Sequence, residues 1–296
     1  MNNDSLAELA AVHKSYGKTV ALAGLDLKVR QGELLAVLGP NGAGKTTAIS
    51  LMLGLQQPDA GVARLFGRSP IPFENRREVG VMMQEVVLAP ELRVREHIDL
   101  VGSYYPSALP TDTVLEMTRT TQLRDRPYGK LSGGQKRQAQ FAMAVCGRPK
   151  LLFLDEPTAG VDIEAREMMW ATLRRFIDEG VSIVLTTHYL EEAEALADRV
   201  AVVNQGRMIA SGSVNDLRAL VARKHVTCST VLTAEEVQRW PEVESAIRDR
   251  HGLRIVAGNA EAVVRRLLAE DADLQDLEIR RAGLAEAFTA LTQEAA

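Results

Sequence analysis

Three short stretches carry residue types that could handle phosphate. The first is Gly39–Thr46, "GPNGAGKT", which fits the spacing G-x-x-x-x-G-K-[S/T]. Glycines at 39, 42 and 44 allow backbone conformations that a side chain would block. Bare N–H groups in such a loop cradle phosphate oxygens. Lys45 would then reach the β- and γ-phosphates of a nucleotide, and Thr46 would ligate Mg²⁺. The second stretch, "LLFLDE", ends in two acids. Mg²⁺ takes a carboxylate, usually through water, and Asp155 stands where an apolar strand ends. Glu156 beside it could orient or deprotonate an attacking water. Alone, the two acids could merely cap the next turn; beside a complete phosphate loop they read as its second half. The third stretch is "LSGGQ", Leu131 to Gln135, followed by "KRQAQFAMAV" with helical spacing. It reads as a helix start with bare backbone N–H groups, which attracts an anion. It lies far along the chain from the phosphate loop, which leaves open which phosphate it would hold, and in which molecule.

The elements around these stretches must position them. "LAELAAVHKSYG" and "TVALAGLDLKV" alternate like strands, with a turn at Gly17 and Lys18. "GELLAVLG" is a buried strand running into the glycine loop, and "KTTAISLMLGL" is a helix that closes at Gly54. "LLFLDEP", "VSIVLTTH" and "VAVVNQG" are apolar strands separated by the helices "AREMMWATLRRFIDEG" and "EEAEALADR". Strand–helix alternation with apolar strands predicts a mainly parallel, covered sheet. The stretch from about Glu85 to Arg148 has helical spacing broken by prolines, so it reads as a helical insertion in that α/β core. After about Ser213 the texture changes. "HVTCSTVL", "LRIVAG" and "DLEIRRAG" read as strands of a small α+β domain that closes with the helix "LAEAFTALTQE". The expected division is residues 1–215 and 216–296.

Bulk properties narrow the partners. A net charge of −4 with interspersed signs gives no footprint for nucleic acid, so no nucleic-acid partner is expected. No apolar run reaches the ~20 residues of a membrane span, so any membrane task needs spans from another chain. Cys146 and Cys228 make no metal spacing, and Cys146 reads as a small buried hydrophobe. The acidic "EEAEALAD" reads as a solvated helix face.

In this order, phosphate loop, LSGGQ and "LLFLDEP" resemble the ATP-binding subunit of an ABC transporter over roughly residues 6 to 215. The resemblance implies a P-loop NTPase core with an added antiparallel β subdomain, and ATP and Mg²⁺ as ligands. Asn41 and Thr47 would join Gly39, Gly42, Gly44, Lys45 and Thr46 around the nucleotide. It further implies a homodimer whose ATPase domains meet head to tail. Ser132, Gly133, Gly134 and Gln135 of one copy would then hold the γ-phosphate bound by the other, opposite Lys45. Tyr16 resembles the aromatic that stacks on adenine. Gln84, closing "VGVMMQ", matches the glutamine that senses Mg²⁺ and the attacking water and links core to insertion. His188, after "VSIVLTT", matches the histidine on the γ-phosphate, and Asp162 the acid of the loop that crosses the dimer interface. "TAGVDI" and "GGQKRQ" depart from the commoner runs at those places, and neither change removes a phosphate contact.

The kind of family member is read from two further resemblances. "ELRVREHIDL" resembles the segment that docks on a membrane partner. "LTTHYLEEAEALADRVAVVNQGRMIASGS" resembles ATPases of the drug- and antibiotic-resistance type that serve small ABC-2 permeases. Together they imply the ATPase subunit of an exporter, peripheral on the cytoplasmic side of the membrane, with a separate integral-membrane permease. An importer subunit and a soluble regulatory or translation-associated ATPase stand as alternatives. A P-loop kinase would leave LSGGQ and His188 without a role.

Overall fold

The computed structural model describes residues 5–220, 224–250, 252–281 and 283–294. It begins with a hairpin, β1 (Ser5–Tyr16) and β2 (Thr19–Arg30). There follow β3 (Leu34–Leu38), α1 (Lys45–Met52), β4 (Ala60–Leu65) and β5 (Val79–Met82). Next come α2 (Val94–Gly102), α3 (Thr111–Met117) and α4 (Gly133–Val145). The α/β pattern then resumes with β6 (Leu151–Asp155), α5 (Ile163–Asp178), β7 (Ser182–Thr187), α6 (Leu190–Leu196), β8 (Arg199–Asn204) and β9 (Arg207–Gly212).

These elements make one compact unit, Met1–Ser213. Its main sheet has the order β5-β6-β7-β3-β8-β9 and is parallel except for the β8–β9 pair. β3, β6 and β7 are buried at every position, which is why they read as unbroken apolar runs. Each β3 leucine taken out of water contributes about 1.5–3 kcal/mol. A second, antiparallel sheet, β2-β1-β4, shares the same core through Leu9, Val12, Leu25 and Leu65. The fold is therefore an α/β P-loop core with an antiparallel subdomain, as expected. Helices α2, α3 and α4 form the insertion, but the first of them starts at Val94 rather than near Glu85. Residues 85–93 run without regular structure. β5 likewise stops at Met82, so Gln84 stands two residues beyond the strand it was expected to close.

The remaining chain is a second unit, Val214–Ala296. It holds α7 (Val214–Leu220), β10 (Lys224–Ser229), α8 (Ala234–Gln238), β11 (Val243–Asp249), β12 (Gly252–Ala257), α9 (Ala260–Glu270), β13 (Gln275–Arg281) and α10 (Leu284–Glu294). The sheet order β11-β12-β10-β13, all antiparallel, is that of a split βαβ, ferredoxin-like motif. Its core packs Val226, Cys228, Leu253 and Ile255 against Trp240, Val263 and Leu267. Sequence reading missed β11. It is an edge strand carrying Glu244, Arg248 and Asp249, and its Ile247 is exposed, so the apolar alternation is weak.

Candidate functional site

A cleft of about 660 Å³ opens where the antiparallel subdomain meets the C-terminal ends of the parallel strands. Tyr16, Asn41, Gly42, Gly44, Lys45, Thr46, Thr47, Gln84, Glu156 and His188 line it, joined by Thr19, Ala21 and Ala43. Every one of those first ten residues was singled out from sequence. The last three were not, because small side chains on a strand and a loop carry no chemical signal.

The loop between β3 and α1 is shaped by close approach. At Gly39 a Cβ would stand 2.4 Å from the Val203 carbonyl oxygen, and φ there is ordinary. So this glycine is needed for space rather than for an unusual dihedral. Gly44 needs both: φ is +103°, and a Cβ would meet Ala21 O at 2.5 Å. Gly44 also caps α1, with no side-chain cap bond and no acid in the first turn. The helix N-terminus is left with bare donors and an uncompensated dipole, which suits an anion. Lys45 is buried, and its ammonium donates to Gly39 O at 2.7 Å and Pro40 O at 3.2 Å. Burial pulls its pKa below the usual lysine value, while the nearby charges of Glu156 and Asp155 oppose that shift.

Two hard oxygen donors meet beside the loop. Thr46 Oγ1 donates to Asp155 Oδ2 at 2.9 Å, and the buried Asp155 takes a second hydroxyl, from Thr186, on Oδ1. A hydroxyl and a carboxylate at the edge of a phosphate loop fit the oxygen preference of Mg²⁺. Glu156 follows with φ at +49°, in the left-handed region, which costs a non-glycine residue roughly 1–2 kcal/mol. Its carboxylate is nearly buried. Oε1 lies 3.3 Å from His188 Nδ1, and Oε2 accepts from Gln84 Nε2 at 3.4 Å. Gln84 and His188 thus converge on the same acid from just beyond the ends of β5 and β7. Tyr16 stands at the other end of the cleft, half exposed, with its hydroxyl bonded to Gln56.

LSGGQ stands elsewhere. None of Ser132, Gly133, Gly134 or Gln135 lines the cleft. Ser132 caps α4, accepting from Gln135 N at 3.3 Å, while Gln135 Oε1 accepts from Ser132 N at 3.2 Å. Arg126, which sequence reading passed over, also donates to Gln135 Oε1 at 3.0 Å. A Cβ at Gly133 would meet nothing, so this helix start is open to an incoming group. Asp162 is exposed and caps α5 through Ala165 N at 2.9 Å.

One expectation is overturned. Glu192, inside "EEAEALAD", is fully buried rather than solvated. Its Oε1 accepts from Thr158 Oγ1 at 3.1 Å and from Trp170 Nε1 at 3.0 Å. On this two-turn helix it faces inward, toward Thr158 and Trp170. Burial pushes its carboxyl pKa up, and hydrogen bonds from Thr187, Trp170 and Thr158 only partly offset this. A raised folded-state pKa gives stability that is full below the unfolded value and fades as pH rises through the folded value. Glu192→Gln lacks that fading term. Its melting temperature relative to wild type is therefore expected to be higher at pH 8 than at pH 5. A relative change in the opposite direction in thermal denaturation would contradict a buried, reluctantly ionised Glu192.

Comparison with known proteins agrees with this geometry. The ABC transporter family profile matches residues 22–159. A Nod factor export ATP-binding protein I of Burkholderia lata is 41% identical over 214 residues, 70% of each chain. A solved ATP-binding subunit of an ABC transporter shares 28% identity and a TM-score of 0.67, over 73% of this chain and 93% of that one. A dimeric bacterial ABC transporter cassette superposes with a TM-score of 0.65 at 23% identity, over 70% of this chain and 98% of that one, a likeness of fold. The relative's identity and coverage, on top of the phosphate loop, paired acids and signature helix, establish that this chain belongs to the ATP-binding proteins of the ABC transporter family and is an ATPase.

Proposed function

We propose that the chain is the ATPase subunit of an exporter, acting as a homodimer on the cytoplasmic face of a membrane with a separate permease. The observation that carries the dimer is the separation of two phosphate-binding features in one chain. The cleft supplies the phosphate loop, and the open N-terminus of α4 lies outside it. A second copy, docked head to tail, would bring the two together. The dimeric cassette of the same fold supports this reading, and the export named for the Burkholderia relative supports the direction. In this reading the first unit is the ATPase domain and the second an accessory domain.

Within the cleft, the amides of Asn41, Gly42 and Gly44 and the Lys45 ammonium take the β- and γ-phosphates, with Thr47 alongside. Tyr16 stacks on the adenine. Thr46, Asp155 and Gln84 are the residues that would hold Mg²⁺. The ion supplies positive charge against the phosphates. Glu156 orients the attacking water and accepts its proton, and His188 contacts the γ-phosphate. Ser132 to Gln135 of the second copy close the site with bare amides, and Asp162 lies on the loop between the copies. ATP touches both copies only when they are closed, so binding shifts the population to the closed state and hydrolysis releases it.

The permease would read that motion beyond Gln84. Val86 and Val87 are exposed, the latter entirely, while Gly129 N donates to Pro90 O and the His97 ring bonds Ala89 O. The segment is therefore pinned at its end and apolar at its tip. Leu92 is partly buried, which makes Val87 and Ala89 the better probes. No described helix is long and apolar enough to cross a membrane. The test uses single cysteines at Val87 or Ala89, with controls at Ile247 and Leu268 in the second unit. Both native thiols are buried, and burial pushes Cys146 up to about 11, so removing them clears the background. Crosslinking in native membranes is expected to capture an integral-membrane protein from Val87 or Ala89, with a yield that ATP changes. Capture from the controls alone, or from no position, would remove this surface from the proposal.

A further inference from the structure

Asp155 and Glu156 share a partner that lies in none of the three phosphate-handling stretches. Thr186 is the fifth residue of β7, paired in register with Asp155 on β6, and it is wholly buried. Its hydroxyl donates to Asp155 Oδ1. The same oxygen accepts from the backbone N–H of Glu156 at 3.2 Å, an N–H that also reaches Thr186 O at 3.0 Å. One side chain thus touches both acids, by its proton on one side and its lone pair on the other. Thr46 occupies the remaining oxygen of Asp155. With Oδ1 tied to Thr186, the carboxylate cannot turn without breaking a buried bond, and Oδ2 stays aimed at Thr46.

A hydroxyl here is not what the strand requires. β7 is buried throughout, and its preceding residues Ile183, Val184 and Leu185 are apolar. Valine has the same branched shape, suits a strand, and avoids the cost of burying a polar group. Threonine is tolerated because both of its hydrogen-bonding functions are used, one on the Asp155 carboxylate and the other on the Glu156 backbone N–H. The amide it holds belongs to the residue with φ of +49°.

We propose that Thr186 is a positioning residue for ATP hydrolysis. It fixes the Asp155 carboxylate toward Thr46 and adds a second acceptor to the Glu156 N–H already held by the Thr186 carbonyl. This rests on the roles proposed above for Asp155 and Glu156. Residues that orient metal-binding side chains typically change metal affinity or activity by about 10–100-fold when removed. Thr186→Val in the full chain is therefore expected to lower kcat by roughly 10-fold or more and raise the half-saturating Mg²⁺ concentration by a similar factor. Nucleotide binding measured in EDTA should stay within about twofold of wild type, since Lys45 and the loop amides are untouched. The tightening of binding that Mg²⁺ brings should shrink, a readout independent of turnover. Thr186→Ser and Thr186→Ala both lose the methyl group and differ in the hydroxyl alone. The serine variant should keep a near-wild Mg²⁺ requirement and the alanine variant should not, so a packing defect common to both is separated from the hydroxyl. Equal Mg²⁺ requirements in these two variants would overturn the proposal. Asp155→Asn and Glu156→Gln run alongside. If both turn over normally, the roles of the acids fail. If both collapse while Thr186→Val matches wild type in kcat and Mg²⁺ requirement, the failure is that of Thr186 alone.

Discussion

Glu156→Gln is expected to bind ATP and to turn it over roughly 10²-fold more slowly or worse. The substitution keeps the length and shape of the side chain, and an amide can still meet His188 and Gln84. What it loses is the basic oxygen. The rest of the binding apparatus, from Lys45 to Tyr16, is unchanged, so affinity should survive while kcat falls. That split is the signature of a group used in the chemical step rather than in binding. Phosphate release gives the rate, and equilibrium binding of a fluorescent ATP analogue gives the affinity. Near-normal turnover would take Glu156 out of the chemistry. Lys45→Ala should behave in the opposite way and lose affinity, because its ammonium is the cation buried in the loop.

A larger reversal is expected when two inactive chains are mixed. Ser132→Arg places a bulky side chain at the open start of α4, and Lys45→Ala empties the phosphate loop. Each homodimer then has two spoiled sites. A mixed dimer has one site spoiled twice and one composed of an intact loop and an intact signature helix. Mixing should restore ATPase activity that neither parent shows. Ser132 also caps α4, and losing such a cap costs about 1 kcal/mol, so both parents need a folded-state check by circular dichroism. A wild-type rate per chain that is full in monomers and independent of concentration would end the shared-site reading.

Much of this site was legible because its chemistry is local. The glycine loop, the paired acids and the signature helix are each set by a few consecutive residues. The strands that carry them are buried on both faces and therefore apolar throughout. What stayed hidden depends on pairing across the sheet. Thr186 looks like an ordinary strand residue until β7 is laid beside β6. Glu192 sits among acids and alanines that suggest a wet face, and only Thr158 and Trp170, brought from distant positions, show it to be inside. β11 was lost for a related reason: an edge strand needs apolar residues on one side only, and here even that side is thin. Gln84 was found by its motif but misplaced by two residues, because strand ends carry weaker signals than strand cores.

The left-handed backbone at Glu156 also says something about how this protein would respond to selection. Glycine, asparagine or aspartate would occupy that conformation with less strain, and none of them carries a carboxylate on a two-carbon arm. On the role proposed above for Glu156, fold and catalysis ask for different residues at one position. On that role, a screen that rewards heat resistance alone would favour replacing Glu156 at the expense of ATP turnover.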